Sequence, residues 1–223
     1  MSPPASATSS INSGTVRRSF LEAWKQGQRT AFDGKEVATG VPLASVLCDP
    51  GIYDRFRTIP ARDSAVFHEG QARLLPDGEY YDAVRSAIQA ARSSLRVSMF
   101  FFSNPTNQRH PNYALIGDLL RAHARGVDIR ILLDLDRKTD IYGSHRINRR
   151  VKDYLAGKGI RVRFDAPESV NHSKLLVVDG EKVLIGSHNW TAASFRRQHD
   201  MSVEIHSKAF AAACARRVDR HFR

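Results

Sequence analysis

The chain has 223 residues, 42% of them hydrophobic, which excludes a disordered polypeptide and leaves room for one ordinary domain plus an appendage. It carries 34 Lys and Arg against 23 Asp and Glu, a formal net charge of +11, and nearly all of that excess lies after residue 70. A basic balance of this kind points to a polyanionic partner, nucleic acid before an anionic membrane surface. The two cysteines have no metal-ligand spacing, so the chain is expected to be reduced and cytoplasmic, and no apolar run approaches the roughly 18 residues a spanning helix needs.

In chain order, residues 1–14 are Ser-, Pro- and Ala-rich and read as a disordered tail. Residues 15–70 form a segment of unassigned role, with an amphipathic helix expected over Val16–Gln26. From residue 71 to 223 the pattern is regular and is read as one catalytic domain. Ala72–Leu75 is a short strand, and Glu79–Arg92 has apolar residues at helical spacing. Ser94–Phe102 is a strand apolar enough to be buried on both faces. Pro111–Arg125 is a helix opened by Pro111 and closed by Gly126. Val127–Asp134 is a strand, Ser144–Ala156 a helix, and Ile160–Asp165 a strand. Two more strands flank Asp179-Gly180, followed by a strand over Met201–His206 and a helix over Lys208–Phe222. The alternation predicts an α/β domain with a mixed, mostly parallel sheet flanked by helices on both faces.

The stretch "HSKLLVVDGEKVLIGSHNW" (172–190) carries the chemistry. Alternation along a strand puts His172 and Lys174 on one face. Asp179-Gly180 is a strong hairpin turn, pairing residues whose numbers sum to about 360. Ser187 then returns beside His172 or Lys174, and Asn189 beside His172. An imidazole, an ammonium, a hydroxyl and an amide meet at the end of an apolar hairpin, with no carboxylate among them to neutralise Lys174. Such a cluster is costly to leave partly dry unless an anion fills it, and a phosphate fits best. A His and a Lys at a strand end are often only solvated termini, but the full pattern arises by chance in far fewer than about one such chain in ten thousand.

His172-x-Lys174-x4-Asp179-x6-Gly186-Ser187-x-Asn189 resembles the HKD motif of the phospholipase D superfamily, and most closely its single-motif nuclease branch. The resemblance spans roughly Ala72 to Phe222. It implies a phosphodiesterase, and in the nuclease branch an endonuclease, in which His172 is the nucleophile of a phosphohistidine intermediate. It further implies that Lys174 and Asn189 hold the non-bridging oxygens, that Ser187 assists, and that neither metal nor cofactor is required. Asp179 and Gly186 are structural members of the motif. Asp200 stands where the branch commonly has a Glu that orients the nucleophilic His, with Glu204 as the fallback. One motif supplies one imidazole where the chemistry uses two, which implies a homodimer. Nucleic-acid contacts are expected from Arg137, Lys138, Arg146, Arg149, Arg150, Arg196 and Arg197, and the Arg residues of the last helix are expected on its outer face. Two other readings stand beside this one: a lipid phosphodiesterase of phospholipase D type, and a non-catalytic nucleic-acid-binding protein on the same fold.

Overall fold

The computed structural model describes residues 68–135 and 143–223, which fall in one compact unit, Arg57–Arg223. The expected helix over Val16–Gln26 and the basic residues Arg137 and Lys138 lie outside the described residues. Seven strands form one sheet: β1 (Gln71–Pro76), β2 (Ser94–Met99), β3 (Asp128–Leu133), β4 (Arg161–Phe164), β5 (Lys174–Val178), β6 (Lys182–Gly186) and β7 (Met201–His206). The helices are α1 (Glu79–Ala90), α2 (Pro111–Ala124), α3 (Ser144–Ala156), the short α4 (Ala192–Arg196) and α5 (Lys208–Asp219). The α2 boundaries follow the sequence signals: Pro111 opens it, the His110 side chain accepts from the Asn112 N–H, and Gly126 follows at φ +88°.

The strand order is β1-β7-β6-β5-β2-β3-β4. Only β2/β3 and β3/β4 are parallel, and the other four pairings are antiparallel, so the sheet is mostly antiparallel and the expectation of a mostly parallel one is corrected. The physical reason is the destination of two segments. Crossover helices α2 and α3 do give parallel neighbours, as strand–helix alternation suggests. After α1, however, the chain does not return beside β1. It enters the sheet centre, while β1 lies at the far edge against β7. The β5–β6 hairpin then fills the middle.

Helices cover both faces. Val84, Ile88, Leu115, Leu119, Val151 and Leu155 of α1–α3 pack on one face, against Val97, Met99, Ile131, Leu133, Leu176 and Leu184. On the other, Ala211 and Val218 of α5 pack on Leu132, Leu175, Val177 and Val183. β5 is buried at every position, and no end of it can slip without moving an apolar residue to the wrong face.

The hairpin register obeys the expected sum, with Leu175 opposite Ile185 and Leu176 opposite Leu184. Its turn has both central residues at positive φ, Asp179 at +53° and Gly180 at +67°, and closes through the Glu181 N–H to the Val178 carbonyl (3.0 Å). The Asp179 carboxylate accepts from the backbone N–H groups of Arg92, Ser93 and Ser94 and from Ser93 Oγ, at 2.8–3.2 Å. It thereby ties the turn to the start of β2. Partial burial works against the charged form, but the bonds from Ser94, Ser93 and Arg92 outweigh it and hold the carboxyl below its ordinary pKa.

A carboxyl depressed in the fold contributes stability that is present above its unfolded value and lost as pH falls through the folded one. Asp179→Ala is therefore expected to cost about 1–3 kcal/mol in urea unfolding at pH 7, with Asp179→Asn milder because one oxygen still accepts. The gap between wild type and Asp179→Asn should narrow on acidification below about pH 4. Wild-type stability in both variants would show that this tether does no work.

Candidate active site

His172 and Lys174 lie where the chain enters β5. Lys174 is only 6% exposed, although it carries an ammonium. Its Nζ donates to the His172 carbonyl at 2.7 Å and stands 4.8 Å from the centre of the Phe100 ring. The His172 ring packs on the same Phe100, with centroids 4.6 Å apart. Phe100 thus forms a shared apolar wall behind both groups.

Burial pushes the Lys174 pKa down to about 8, and Asp200 and Asp134 act against that fall. The expectation that no carboxylate stands near Lys174 is corrected here: two do, contributed by residues far away in sequence. Burial first, and then the Lys174 charge, hold the His172 imidazole below its ordinary pKa, so it is neutral at pH 7. His172 is exposed, and its ring nitrogens make no hydrogen bond among the described residues.

Ser187 and Asn189 follow β6. Gly186, the last residue of that strand, has no room for a side chain: a Cβ would sit 2.4 Å from the Met201 carbonyl and the Ser202 Cα. This close approach lets Ser187 turn toward β7 rather than back to β5. Its N–H donates to the Met201 carbonyl (3.0 Å), and its Oγ donates to Asp200 Oδ1 (2.7 Å) and accepts from the Met201 N–H (2.9 Å). Asn189 Oδ1 accepts the Phe101 N–H at 3.2 Å. With the oxygen so occupied, its Nδ2 is left as a donor with no partner among the described residues. Of the four expected residues, His172 and Lys174 share Phe100, and Asn189 binds the next residue along. Ser187 joins them through Asp200, which acts on Lys174.

Asp200 was expected to orient His172. Instead its carboxylate accepts from Ser187 Oγ and, through a short bond, from Ser194 Oγ, whose oxygen in turn accepts the Asn189 N–H at 2.9 Å. It makes no hydrogen bond to the imidazole of its own chain among the described residues. The fallback, Glu204, is committed elsewhere. It is 3% exposed and pairs with Arg73 (2.6 Å), Lys182 (3.1 Å) and His206 (2.7 Å). Burial alone would raise its pKa, yet those partners lower it to about 2.

The motif loop is anchored by residues that its spacing does not reveal. His188 is buried, stacks on Tyr80 (4.3 Å), and bonds Ser202 Oγ (2.8 Å) and the Asp77 carbonyl (2.9 Å). Because a carbonyl can only accept, the ring N–H is on Nε2. Trp190 is fully buried, donates from its indole to Tyr80 Oη at 3.1 Å, and accepts from Asn112 Nδ2 at 2.6 Å through its carbonyl.

The expected basic residues of α3 and at the end of α4 lie at the surface. Arg149, Arg150, Arg196 and Arg197 are exposed, as is Arg146, which has a partner of its own. The loop after β2 gathers three of the arginines: Asn104 Nδ2 donates to the Arg150 carbonyl, and Arg196 donates to that of Arg109, both at 3.3 Å. Arg109 had no distinguishing sequence context. Arg217 of the last helix is exposed, as expected for its outer face, and also borders a groove. With Ser98, Leu132, Asn171 and Val218 it lines this groove of about 420 Å³, which reaches His172 from the α5 side.

Chemically the site offers a neutral imidazole, a partly desolvated ammonium and a free amide N–H pair, all donors or nucleophile. This is a set for a phosphate ester.

Comparisons with known proteins agree with that chemistry. Residues 84–222, more than half of the chain, match the family described as "Cardiolipin synthase, PLD-like domain". Human mitochondrial cardiolipin hydrolase is 30% identical over 142 residues, 63% of this chain and 50% of that protein. A phospholipase D of Rickettsia conorii is 32% identical over 93 residues, 42% of this chain and 43% of that one. The chain thus spans about half the length of these curated relatives, or less. Among solved structures, Nuc of Salmonella typhimurium, a phospholipase D family member, superposes with a TM-score of 0.57 at 25% identity, covering 69% of this chain and 95% of that one. NucT of Helicobacter pylori shares the fold, with a TM-score of 0.54 at 15% identity and coverage of 69% and 96%. On the strength of the matched span and of a sheet that presents His172, Lys174 and Asn189 at one end, this chain belongs to the phospholipase D-like family.

Proposed function

We propose that the chain cleaves nucleic-acid phosphodiester bonds as a homodimer, without a metal, with His172 as nucleophile. The observation that carries this reading is the set of groups gathered at His172: Lys174 Nζ and Asn189 Nδ2 are available to two non-bridging oxygens, and a neutral ring nitrogen is available to phosphorus. In the first step that nitrogen bonds to phosphorus while the leaving oxygen departs with a proton from a second imidazole, which enters the step as imidazolium, the form that the negative charge of a bound diester favours. In the second, water attacks phosphorus, that imidazole takes the proton, and the P–N bond breaks. The other imidazole lining the groove at His172, that of His221, is paired with Asp165 at 3.3 Å, so the reading takes the second catalytic imidazole from a second copy. Asp200 does not reach the imidazole of its own subunit, which leaves the carboxylate of the second copy as the group to orient it. An apolar strip beside Ser187 supports association. Leu74 (52% exposed), Val203 and Ile185 (36% exposed) lie in register across β1, β7 and β6.

The polyanionic substrate is favoured by the net charge of +11 and by the arginines collected on the loop after β2. The lipid reading is favoured by the names of the curated relatives, a cardiolipin hydrolase and a phospholipase D. Among the described residues no helix is long and apolar enough to cross a membrane.

Incubated in EDTA with labelled single- and double-stranded DNA and RNA, the wild-type protein is expected to cut at least one of them. His172→Ala should lower the rate by about a thousandfold or more. Faster release of headgroup from vesicles containing cardiolipin or phosphatidylcholine would favour the lipid reading, and DNA binding unchanged by His172→Ala without cleavage would favour a binding protein. When wild type is exchanged with His172→Ala, activity should follow the square of the wild-type fraction, because a mixed dimer has one imidazole. A linear fall would contradict the shared site.

A further inference from the structure

The reading above leaves unused a carboxylate that is wholly buried beside the site. We propose that Asp134 is a positioning residue for diester cleavage: its carboxylate fixes the backbone that carries His172 and supplies negative charge facing Lys174. The inference rests on the reading of the site as a phosphodiesterase.

Asp134 follows β3 and is 0% exposed. One oxygen accepts the N–H of Asn171, the residue before His172, at 2.7 Å, and the other accepts from Ser144 Oγ at 2.5 Å. Asn171 is itself held from the far side, because its side-chain amide pairs with Ser98 Oγ (3.0 Å) and its Oδ1 accepts the Ser173 N–H (3.3 Å). Both residues flanking His172 are therefore pinned by one buried network, while the imidazole is left unbonded. Asn148, also 0% exposed, extends the network. Its Nδ2 donates to the carbonyls of Asp134 (3.0 Å) and Phe100 (2.7 Å), and its Oδ1 accepts the Phe102 N–H (2.9 Å). This fixes Phe100, against which His172 and Lys174 rest. The exits of β2 and β3 and the approach to β5 are thus joined at one buried anion.

A neutral acceptor would satisfy the same N–H. A carboxylate does more, since a buried anion is costly unless a positive group shares its surroundings, and Lys174 is such a group. Asp200 faces Lys174 as well, and His172 is its titratable neighbour on the same segment. Asp134 and Asp200 together offset the desolvation of the ammonium.

Asp134→Asn tests both halves. The amide keeps an oxygen for the Asn171 N–H, can turn its NH₂ toward Ser144, and removes the charge. The readouts are kcat and KM on bis(4-nitrophenyl) phosphate, and the titration of Lys174 followed by NMR in protein labelled at lysine Cε, assigned with Lys174→Arg. The expected result is a kcat roughly 10- to 100-fold lower with KM within about threefold, and Lys174 titrating at lower pH than in wild type. Ser144→Ala keeps the charge and the Asn171 bond; it should leave kcat within about threefold and Lys174 unmoved. Wild-type kcat and an unmoved Lys174 in Asp134→Asn would overturn the proposal. If Asp134→Asn does not fold, Ser98→Ala decides the positioning half: it frees the Asn171 side chain, so a severalfold loss of kcat supports the role and an unchanged kcat removes it. If wild type hydrolyses no diester, the proposed function fails. The Lys174 titration still reports whether Asp134 sets its field.

Discussion

An ammonium almost removed from water governs this structure. Lys174 stands at the first position of a strand buried along its length, at the centre of a seven-stranded sheet. Taking such a charge out of solvent is expensive, and the protein offsets part of the cost with two carboxylates, a backbone carbonyl and an aromatic face. None of these fully neutralises it. The residual demand for an anion, next to a neutral imidazole, is what turns a strand end into a phosphate site.

The fold positions that demand from both ends of one hairpin. At the turn, Asp179 ties β5–β6 to the start of β2, far from the chemistry. At the open end, Gly186 lets the chain run against β7, and His188 and Trp190 plug the loop into Tyr80 and α2. The exposed His172 and Ser187 and the half-buried Asn189 are thus carried on backbone that is bonded on all sides. Substrate binding then needs little ordering of the protein, which preserves binding energy for the reaction.

Much of this was legible in the sequence because it is local. Strand alternation and the Asp-Gly turn fixed the hairpin register, and the spacing of His172, Lys174, Ser187 and Asn189 marked the site. What the sequence did not disclose depends on contacts across the sheet. Which edge β1 joins is decided by tertiary pairing, so alternating strands and helices suggested parallel neighbours where antiparallel ones formed. Asp134 reads as the end of an apolar strand, and only the topology brings it to Asn171. Asp200 is at the expected distance along the chain, but its partners are the hydroxyls of Ser187 and Ser194, set by a five-residue helix that the apolar pattern does not announce. Arg109 and Arg217 likewise gain meaning only from a loop and a groove.

The central claim is that a His172 ring nitrogen forms a bond to phosphorus. Its most direct test is mass spectrometry of peptides from protein quenched in denaturing alkali during turnover of a diester, conditions under which a phosphohistidine persists. The account predicts a phosphoryl adduct on the His172 peptide that forms in EDTA, decays on chase with unlabelled substrate, and is absent in His172→Asn. Turnover with no adduct on that peptide, or an adduct on another residue that forms and decays at the rate of turnover, would contradict it.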